Sequence, residues 1–230
     1  MMKAIYLVRY GHAKTAFKTS TVAVPAMEQQ DSVLIKVHGF GINFADVMAR
    51  KGLYKSAPDL PAILGYEVVG IVEKVKNQKY SHLIGKRVVA LTRFGGYAEY
   101  AISSINGIAE IKKDLPMGKA LALATQYCTA LLAMDKTNNF ENEYVLIHSA
   151  SGGVGVALTQ LSKLKKCKII GITRSASKIS FLKKNGVDFP ILNEDNNYQK
   201  TLLELLNNQK ISAIFNSVGG TTFKEDLKLL

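Results

Sequence analysis

Hydrophobic and polar positions follow two different rhythms along this chain. As far as about residue 112 the apolar residues fall in short runs, many of them β-branched. Lys3–Val8, Ser32–Val37, Arg87–Leu91 and Tyr97–Ile102 read as strands, and Glu67–Val75 (EVVGIVEKV) shows period-2 character. Gly39, Gly41, Gly65, Gly70, Gly85, Gly95 and Gly96 punctuate these runs. Short strands separated by glycine turns predict an all-β or barrel-like unit with few helices.

The rhythm changes near Leu115-Pro116. Met117–Met134 is apolar around much of a helix, and strands and helices alternate after it. Strands are predicted at Tyr144–Ile147, Lys168–Ile172, Phe189–Leu192 and Ile211–Asn216, and helices at Val154–Lys165, Ser177–Lys184, Tyr198–Leu206 and Thr221–Leu230. Such alternation predicts right-handed βαβ units building a parallel sheet. The fold class is therefore α/β, with a β-rich domain over residues 1–115 and a doubly wound parallel-sheet domain over 116–230. A doubly wound dinucleotide fold has six strands in its usual form. Only four are predicted here, so the second domain is read as incomplete at its C-terminus.

The strongest local signal is Ala150-Ser151-Gly152-Gly153-Val154-Gly155, placed directly between a predicted strand and a predicted helix. Glycines let a backbone turn tightly and approach a pyrophosphate, and the helix start offers free N–H groups and the positive end of the helix dipole. The strict GxGxxG spacing fails, because position 158 is Leu. A glycine-rich tight turn without a ligand is the bland alternative. NAD sites of this kind carry an Asp or Glu about 20 residues beyond the glycines. Here that place reads Thr173-Arg174-Ser175-Ala176-Ser177-Lys178, with two cations, three hydroxyls and no carboxylate. Those groups suit an adenosine 2′-phosphate, which favours NADPH as the cofactor.

Composition narrows the classes of function. The 230 residues are 47% hydrophobic, enough for a substantial core. No run of about 18 apolar residues suggests a membrane span, and the N-terminus lacks the apolar run of a signal peptide. The formal net charge is +12, but the lysines are scattered and no long basic run occurs. A solvated lysine surface accounts for them, so no specific nucleic-acid partner is expected. The two cysteines, Cys128 and Cys167, form neither a metal-ligand pair nor a disulfide framework, and a cytoplasmic setting is expected. His12, His38, His82 and His148 stand apart from one another in sequence, so no metal site is expected.

The chain resembles the medium-chain dehydrogenase/reductase superfamily in its zinc-free quinone oxidoreductase branch, and within it is similar to the vesicle amine transport protein subgroup. The residues that carry the likeness are Gly41–Tyr54 (GINFADVMARKGLY), Pro61–Gly70 (PAILGYEVVG), Gly85–Val88, Gly95–Glu99, the 150–155 loop with Gln160, and Asn216–Gly220. The resemblance implies a GroES-like β domain followed by a Rossmann-type domain, with the active site in the cleft between them. It implies that Asn43 and Tyr66 stand where zinc-dependent relatives place a metal-binding Cys and His. Catalysis would then be hydride transfer from NADPH to a small-molecule quinone or enone, with Asn43 and Tyr54 facing nicotinamide and substrate. An amide and a phenol at those places would donate hydrogen bonds to the acceptor oxygen. By the same likeness Tyr127 and Thr129 face the cofactor, and Ser217-Val218-Gly219 passes beside its ribose or nicotinamide. Where the family often has a Tyr near the 2′-phosphate, this chain has Asn193. Full-length members form homodimers. The alternative is a catalytically weak or inactive truncated relative that binds a nucleotide or RNA.

Overall fold

A computed structural model describes residues 1–137, 141–194 and 198–230. They form two compact units, Met1–Thr125 and Gln126–Leu230. The first contains β1 (Met2–Leu7), α1 (Ala13–Ala16), β2 (Phe17–Val22), β3 (Ser32–Phe40), α2 (Phe44–Arg50), β4 (Ala62–Ile63) and β5 (Glu67–Val75). It continues with β6 (Arg87–Leu91), β7 (Tyr100–Ser104), β8 (Ile108–Glu110) and α3 (Met117–Ala122), and a π-helical turn spans Leu123–Tyr127.

Two antiparallel sheets make up this unit. Five strands run in the order β7-β3-β5-β6-β8 and three in the order β2-β1-β4. The period-2 pattern of β5 determines what it covers. Val68 and Val72 enter one core with Val33, Ile35, Val88 and Ala101. Val69 points the other way and packs with Val89 against Ala120 and Ala124, which draws α3 into this unit. Gly70 sits mid-strand, where glycine normally weakens a strand. A Cβ there would lie 2.1 Å from the Lys36 carbonyl oxygen and 2.7 Å from Ile35 Cγ2, so only hydrogen fits.

The unit holds elements that the apolar pattern does not show. β2 carries Lys18 and Thr19 outward and buries little, and β4 has two residues. The seven-residue α2 depends on a cap, with the Asp46 carboxylate accepting the Asn43 backbone N–H at 2.9 Å. Tyr97 and Ala98, read as strand, precede β7; Ala98 only bridges Ala4.

The second unit alternates strands and helices as the pattern predicts. It contains α4 (Cys128–Met134), β9 (Tyr144–Ile147), α5 (Gly153–Leu164), β10 (Lys168–Thr173), α6 (Ile179–Lys184), β11 (Phe189–Leu192), α7 (Tyr198–Leu206), β12 (Ile211–Phe215) and α8 (Thr221–Asp226). The strands pair in parallel in the order β11-β10-β9-β12. Both faces are covered, which is why the strands read as continuous apolar runs. Val145, Ile147 and Ile169 pack on one side with Ala157, Leu158 and Leu182. Leu146, Ile170 and Ile172 pack on the other with Tyr198, Leu202 and Leu206. β9 lies between β10 and β12, so the chain reverses its direction of sheet building there and leaves a crevice at the strands' C-terminal ends. No helix among the described residues is long and apolar enough to cross a membrane. Cys128 and Cys167 are not joined in a disulfide.

The packing at Gly70 gives a direct check. Gly70→Ala is expected to destabilise the β-rich unit by roughly 1–3 kcal/mol, the usual cost of forcing a methyl group into a filled site. Urea denaturation followed by circular dichroism measures it. An unchanged midpoint would show that β3 and β5 are less tightly apposed.

Candidate functional site

The glycine-rich loop folds as a strand-to-helix turn. β9 ends at Ile147, Ala150 is buried, and Gly152 is the N-cap of the twelve-residue α5. A Cβ on Gly155 would stand 2.5 Å from the Ser149 carbonyl oxygen and 2.7 Å from Ala150 Cα. The first turn of α5 thus lies directly on the end of β9. The helix start offers N–H groups without an intrahelical partner and the positive end of the helix dipole.

That crevice is a cavity of about 410 Å³. Ser151 and Gly152 line it from the loop, Thr173, Arg174, Ser175 and Lys178 from the end of β10, and Val218 from beyond β12. These seven residues, distant in sequence, stand together. Gly153, Val154 and Gly155 form the first turn of α5 beside the cavity, and Ser217 and Gly219 flank Val218. Tyr127 lies in the π turn and its hydroxyl donates to Gln160 Oε1. Thr129 is on the exposed side of α4, outside the cavity lining.

Asn193, which stands where the family often has a Tyr near the 2′-phosphate, lines the cavity too. Further lining residues carry no clear signal in the sequence: His148, Ser149, Ile172 and Thr222. The first three lie at strand ends, where the sheet order would have pointed, and Thr222 lies in the first turn of α8. Among the described lining residues there are two basic side chains, Arg174 and Lys178, and no carboxylate. Asn193 is 5% exposed, and its Oδ1 has no hydrogen-bond partner among the described residues. An orphaned buried acceptor on a cavity wall fits a ligand with an amino or hydroxyl donor.

A buried polar network holds the loop that carries Val218. Asn216 Oδ1 accepts the backbone N–H groups of Val218 and Gly219, each at 2.8 Å. Asn216 Nδ2 donates to Asp226 Oδ2 at 2.6 Å, and the Tyr198 hydroxyl donates to Asp226 Oδ1 at 2.8 Å. His148 Nε2 lies 3.0 Å from the same carboxylate. Burial and the neighbouring Asp226 carboxylate both push the Tyr198 hydroxyl pKa above its ordinary value.

The other candidate residues belong to the first unit. Asn43 caps α2, and its Nδ2 donates to both Glu67 oxygens at 2.9 and 2.7 Å. The Thr125 hydroxyl donates to Glu67 Oε2 at 2.5 Å. The Tyr54 and Tyr66 rings meet edge-on at 6.3 Å, and Tyr66 also packs on Phe94. Burial first, and the Tyr54 hydroxyl second, raise the Tyr66 pKa. Glu67 is 2% exposed, and burial raises its carboxyl pKa against the opposing pull of the Thr125 and Asn43 hydrogen bonds. Sequence reasoning gives Glu67 no role. The available signal is a carboxylate opening a strand that otherwise buries valines. No group of three or more His, Cys, Asp or Glu among the described residues could hold a metal ion.

Comparison with known proteins gives the family. The alcohol dehydrogenase GroES-like domain family matches residues 29–113, and the zinc-binding dehydrogenase family matches residues 153–230. The quinone oxidoreductase of Sus scrofa is 32% identical over 232 residues, which is all of this chain and 70% of that protein. The chain belongs to the quinone oxidoreductase branch of the medium-chain dehydrogenase/reductase superfamily. The human synaptic vesicle membrane protein VAT-1 homolog is 29% identical over all of this chain and 58% of its own length. The crystal structure of Escherichia coli quinone oxidoreductase complexed with NADPH superposes with a TM-score of 0.89 at 27% identity, covering 99% of this chain and 70% of that one. Membership makes the chain an oxidoreductase with a GroES-like domain and a nucleotide-binding domain.

Glu67 makes stability depend on pH in a defined direction. Its folded pKa is raised, so above the ordinary carboxylate range the folded chain still holds a proton that the unfolded chain has released. The stability it contributes is full below that range and is lost as pH rises through the raised folded value. Urea denaturation across a pH series is expected to show wild type losing stability relative to Glu67→Gln over that window. A difference that does not change with pH would contradict the assignment.

Proposed function

We propose that the chain is an NADPH-dependent, zinc-independent reductase acting on a quinone or enone-type acceptor. The observation that carries the cofactor is the crevice beyond β9, β10 and β12, where a helix start and two cations meet and no described carboxylate intrudes. An adenosine 2′-phosphate would be repelled by a carboxylate and attracted by Arg174 and Lys178, with the Thr173 and Ser175 hydroxyls as further donors. The Gly152 N–H is taken by the Ser149 carbonyl oxygen at 2.8 Å, and the N–H groups at Gly153 and Val154, in the first turn of α5, suit the pyrophosphate. Asn193 Oδ1 offers an acceptor to an amino or hydroxyl group of the nucleoside. Ser217-Val218-Gly219 borders the same crevice and, with Tyr127 and Thr129, completes the set assigned to the cofactor.

When bound, NADPH supplies a hydride to an electrophilic carbon. This chain's own residues orient and polarise. The Tyr54 phenol, beside Tyr66, can donate to an acceptor oxygen as that oxygen gains negative charge. Asn43 is held rigidly on the same structural unit. Asn43 and Tyr66 occupy the positions where zinc-dependent relatives carry ligands, and an amide and a phenol make a poor zinc site beside a lone carboxylate.

The test is a titration of nicotinamide fluorescence, since the protein has no Trp. NADPH is expected to bind at least tenfold more tightly than NADH, about 1.4 kcal/mol. Arg174→Ala and Lys178→Ala are each expected to reduce that ratio by weakening NADPH alone. Equal affinity for the two nucleotides in wild type would overturn the 2′-phosphate reading. NADPH oxidation with a series of quinones and enones then tests the acceptor, with and without a zinc chelator.

A further inference from the structure

Two successive backbone N–H groups in a tight turn form a concavity that attracts anions. The turn beyond β12 has such a pair, at Val218 and Gly219, and Val218 lines the crevice. Both N–H groups are already taken, because Asn216 Oδ1 accepts each of them at 2.8 Å. Turning the Asn216 amide over does not free them. Its Nδ2 donates to Asp226 Oδ2 at 2.6 Å and to Thr222 Oγ1 at 3.0 Å. A reversed amide would set oxygen against a carboxylate and Nδ2 against two N–H donors. Both donors and both acceptor positions of Asn216 are thus in use. Asp226 is held in its turn. It is 3% exposed, the Tyr198 hydroxyl donates to its Oδ1 at 2.8 Å, and His148 Nε2 lies 3.0 Å from it. Thr222 Oγ1 donates to the Gly219 carbonyl oxygen at 2.8 Å, which ties down the far side of the turn.

We infer that Asn216 and Asp226 are positioning residues that keep this turn closed to anions, so that the crevice seats phosphate only on its α5 and β10 side and meets the rest of the nucleotide through the Val218 side chain. This inference rests on the reading that the crevice binds NADPH. Val218 is 57% exposed and gives the wall beyond β12 an apolar surface. The sheet order sets the direction, since β9 lies between β10 and β12. A dinucleotide with its 2′-phosphate at Arg174 and Lys178 and its pyrophosphate at the start of α5 extends toward β12 with its uncharged half, dihydronicotinamide and ribose. An open pair of N–H groups there would make a second seat for phosphate and let the nucleotide bind out of register. Asp226 is not among the crevice's lining residues and acts through Asn216.

The first readout needs no nucleotide. Backbone amide signals of a 15N-labelled chain are followed by NMR while inorganic phosphate is added. In wild type the Val218 and Gly219 amides are expected to exchange slowly and to stay unmoved by phosphate, whereas Gly153 and Val154 report phosphate at the start of α5. Asn216→Ala is expected to speed exchange of the Val218 and Gly219 amides by about tenfold, the scale of one net hydrogen bond, and phosphate then shifts both. Amides that exchange freely or move with phosphate in wild type, or that are unchanged in Asn216→Ala, would overturn the inference even if NADPH binds. A closed turn in a chain that binds no nucleotide would instead remove the cofactor reading and leave the positioning intact. If Asn216→Ala does not fold, Thr222→Val removes one acceptor of Nδ2, and faster exchange of both amides is the expected outcome; unchanged exchange counts against the bracing. The second readout is affinity. Asn216→Ala is expected to weaken NADPH and NADH alike by about tenfold and to leave 2′,5′-ADP, which lacks the nicotinamide half, bound as in wild type. A loss confined to NADPH, or an equal loss for 2′,5′-ADP, would place the effect elsewhere in the crevice and overturn the inference. The third readout exchanges the two roles. At about pH 8, where carboxylates are ordinarily ionised, Asn216→Asp sets two of them together and is expected to weaken NADPH by about tenfold. Adding Asp226→Asn restores a donor between them, and wild-type affinity is expected to return. Losses that merely add would show that the two residues act separately.

Discussion

The nucleotide-binding unit depends on how closely α5 approaches the end of β9. Gly155 leaves no space for a Cβ, whose nearest neighbours would be Ser149 O and Ala150 Cα at 2.5 and 2.7 Å. Backbone therefore rests on backbone, and the helix start is fixed with respect to the strand. Everything in the crevice follows from that contact. β9 is central in the sheet, so the ends of β10 and β12 converge on the same point and bring Arg174 and Val218 to one cavity. A looser junction would move the helix N–H groups away from the place where the cations gather. The electrostatics need this rigidity, because a helix dipole acts effectively only within its first turn.

The β-rich unit solves a different problem. Asp46 and Glu67 are both nearly inaccessible, at 3% and 2% exposure, and among the described residues their hydrogen bonds come from neutral donors. Burying a charge without compensation is expensive, so each needs donors. Asp46 receives two backbone N–H groups, and Glu67 receives an amide and a hydroxyl. The compensation for Glu67 is incomplete, which is why burial still raises its pKa. Such an arrangement costs stability and fixes geometry in return. Cap, turn and strand start are locked together around α2, the helix with Asn43 at its head.

How much of this was legible follows from sequence separation. The alternation of strands and helices after residue 144 is a local pattern, and the structure reproduces each strand there within a residue or so at its ends. The gathering of Thr173, Arg174, Ser175 and Lys178 on one cavity wall was readable because they are neighbours in the chain. α2 was missed because its stability lies in one cap rather than in an apolar stripe, and β2 because it buries little. Met117–Met134 was read as one helix, and the structure divides it by a π turn at Leu123–Tyr127.

The network around Asp226 and the grip of Glu67 on Asn43 were illegible for a common reason. His148 and Asp226 are 78 residues apart, Asn43 and Glu67 are 24 apart, and Glu67 and Thr125 are 58 apart. No periodicity couples such positions; only the fold brings them into contact. The residue types were visible, but a donor cannot be told from an acceptor in an asparagine until its neighbour is known. The proposed cofactor groups lie in one short segment and can be matched residue by residue in sequence. The partners that set the donor or acceptor character of a side chain such as Asn43 are tertiary contacts, and no match of that residue alone reveals them.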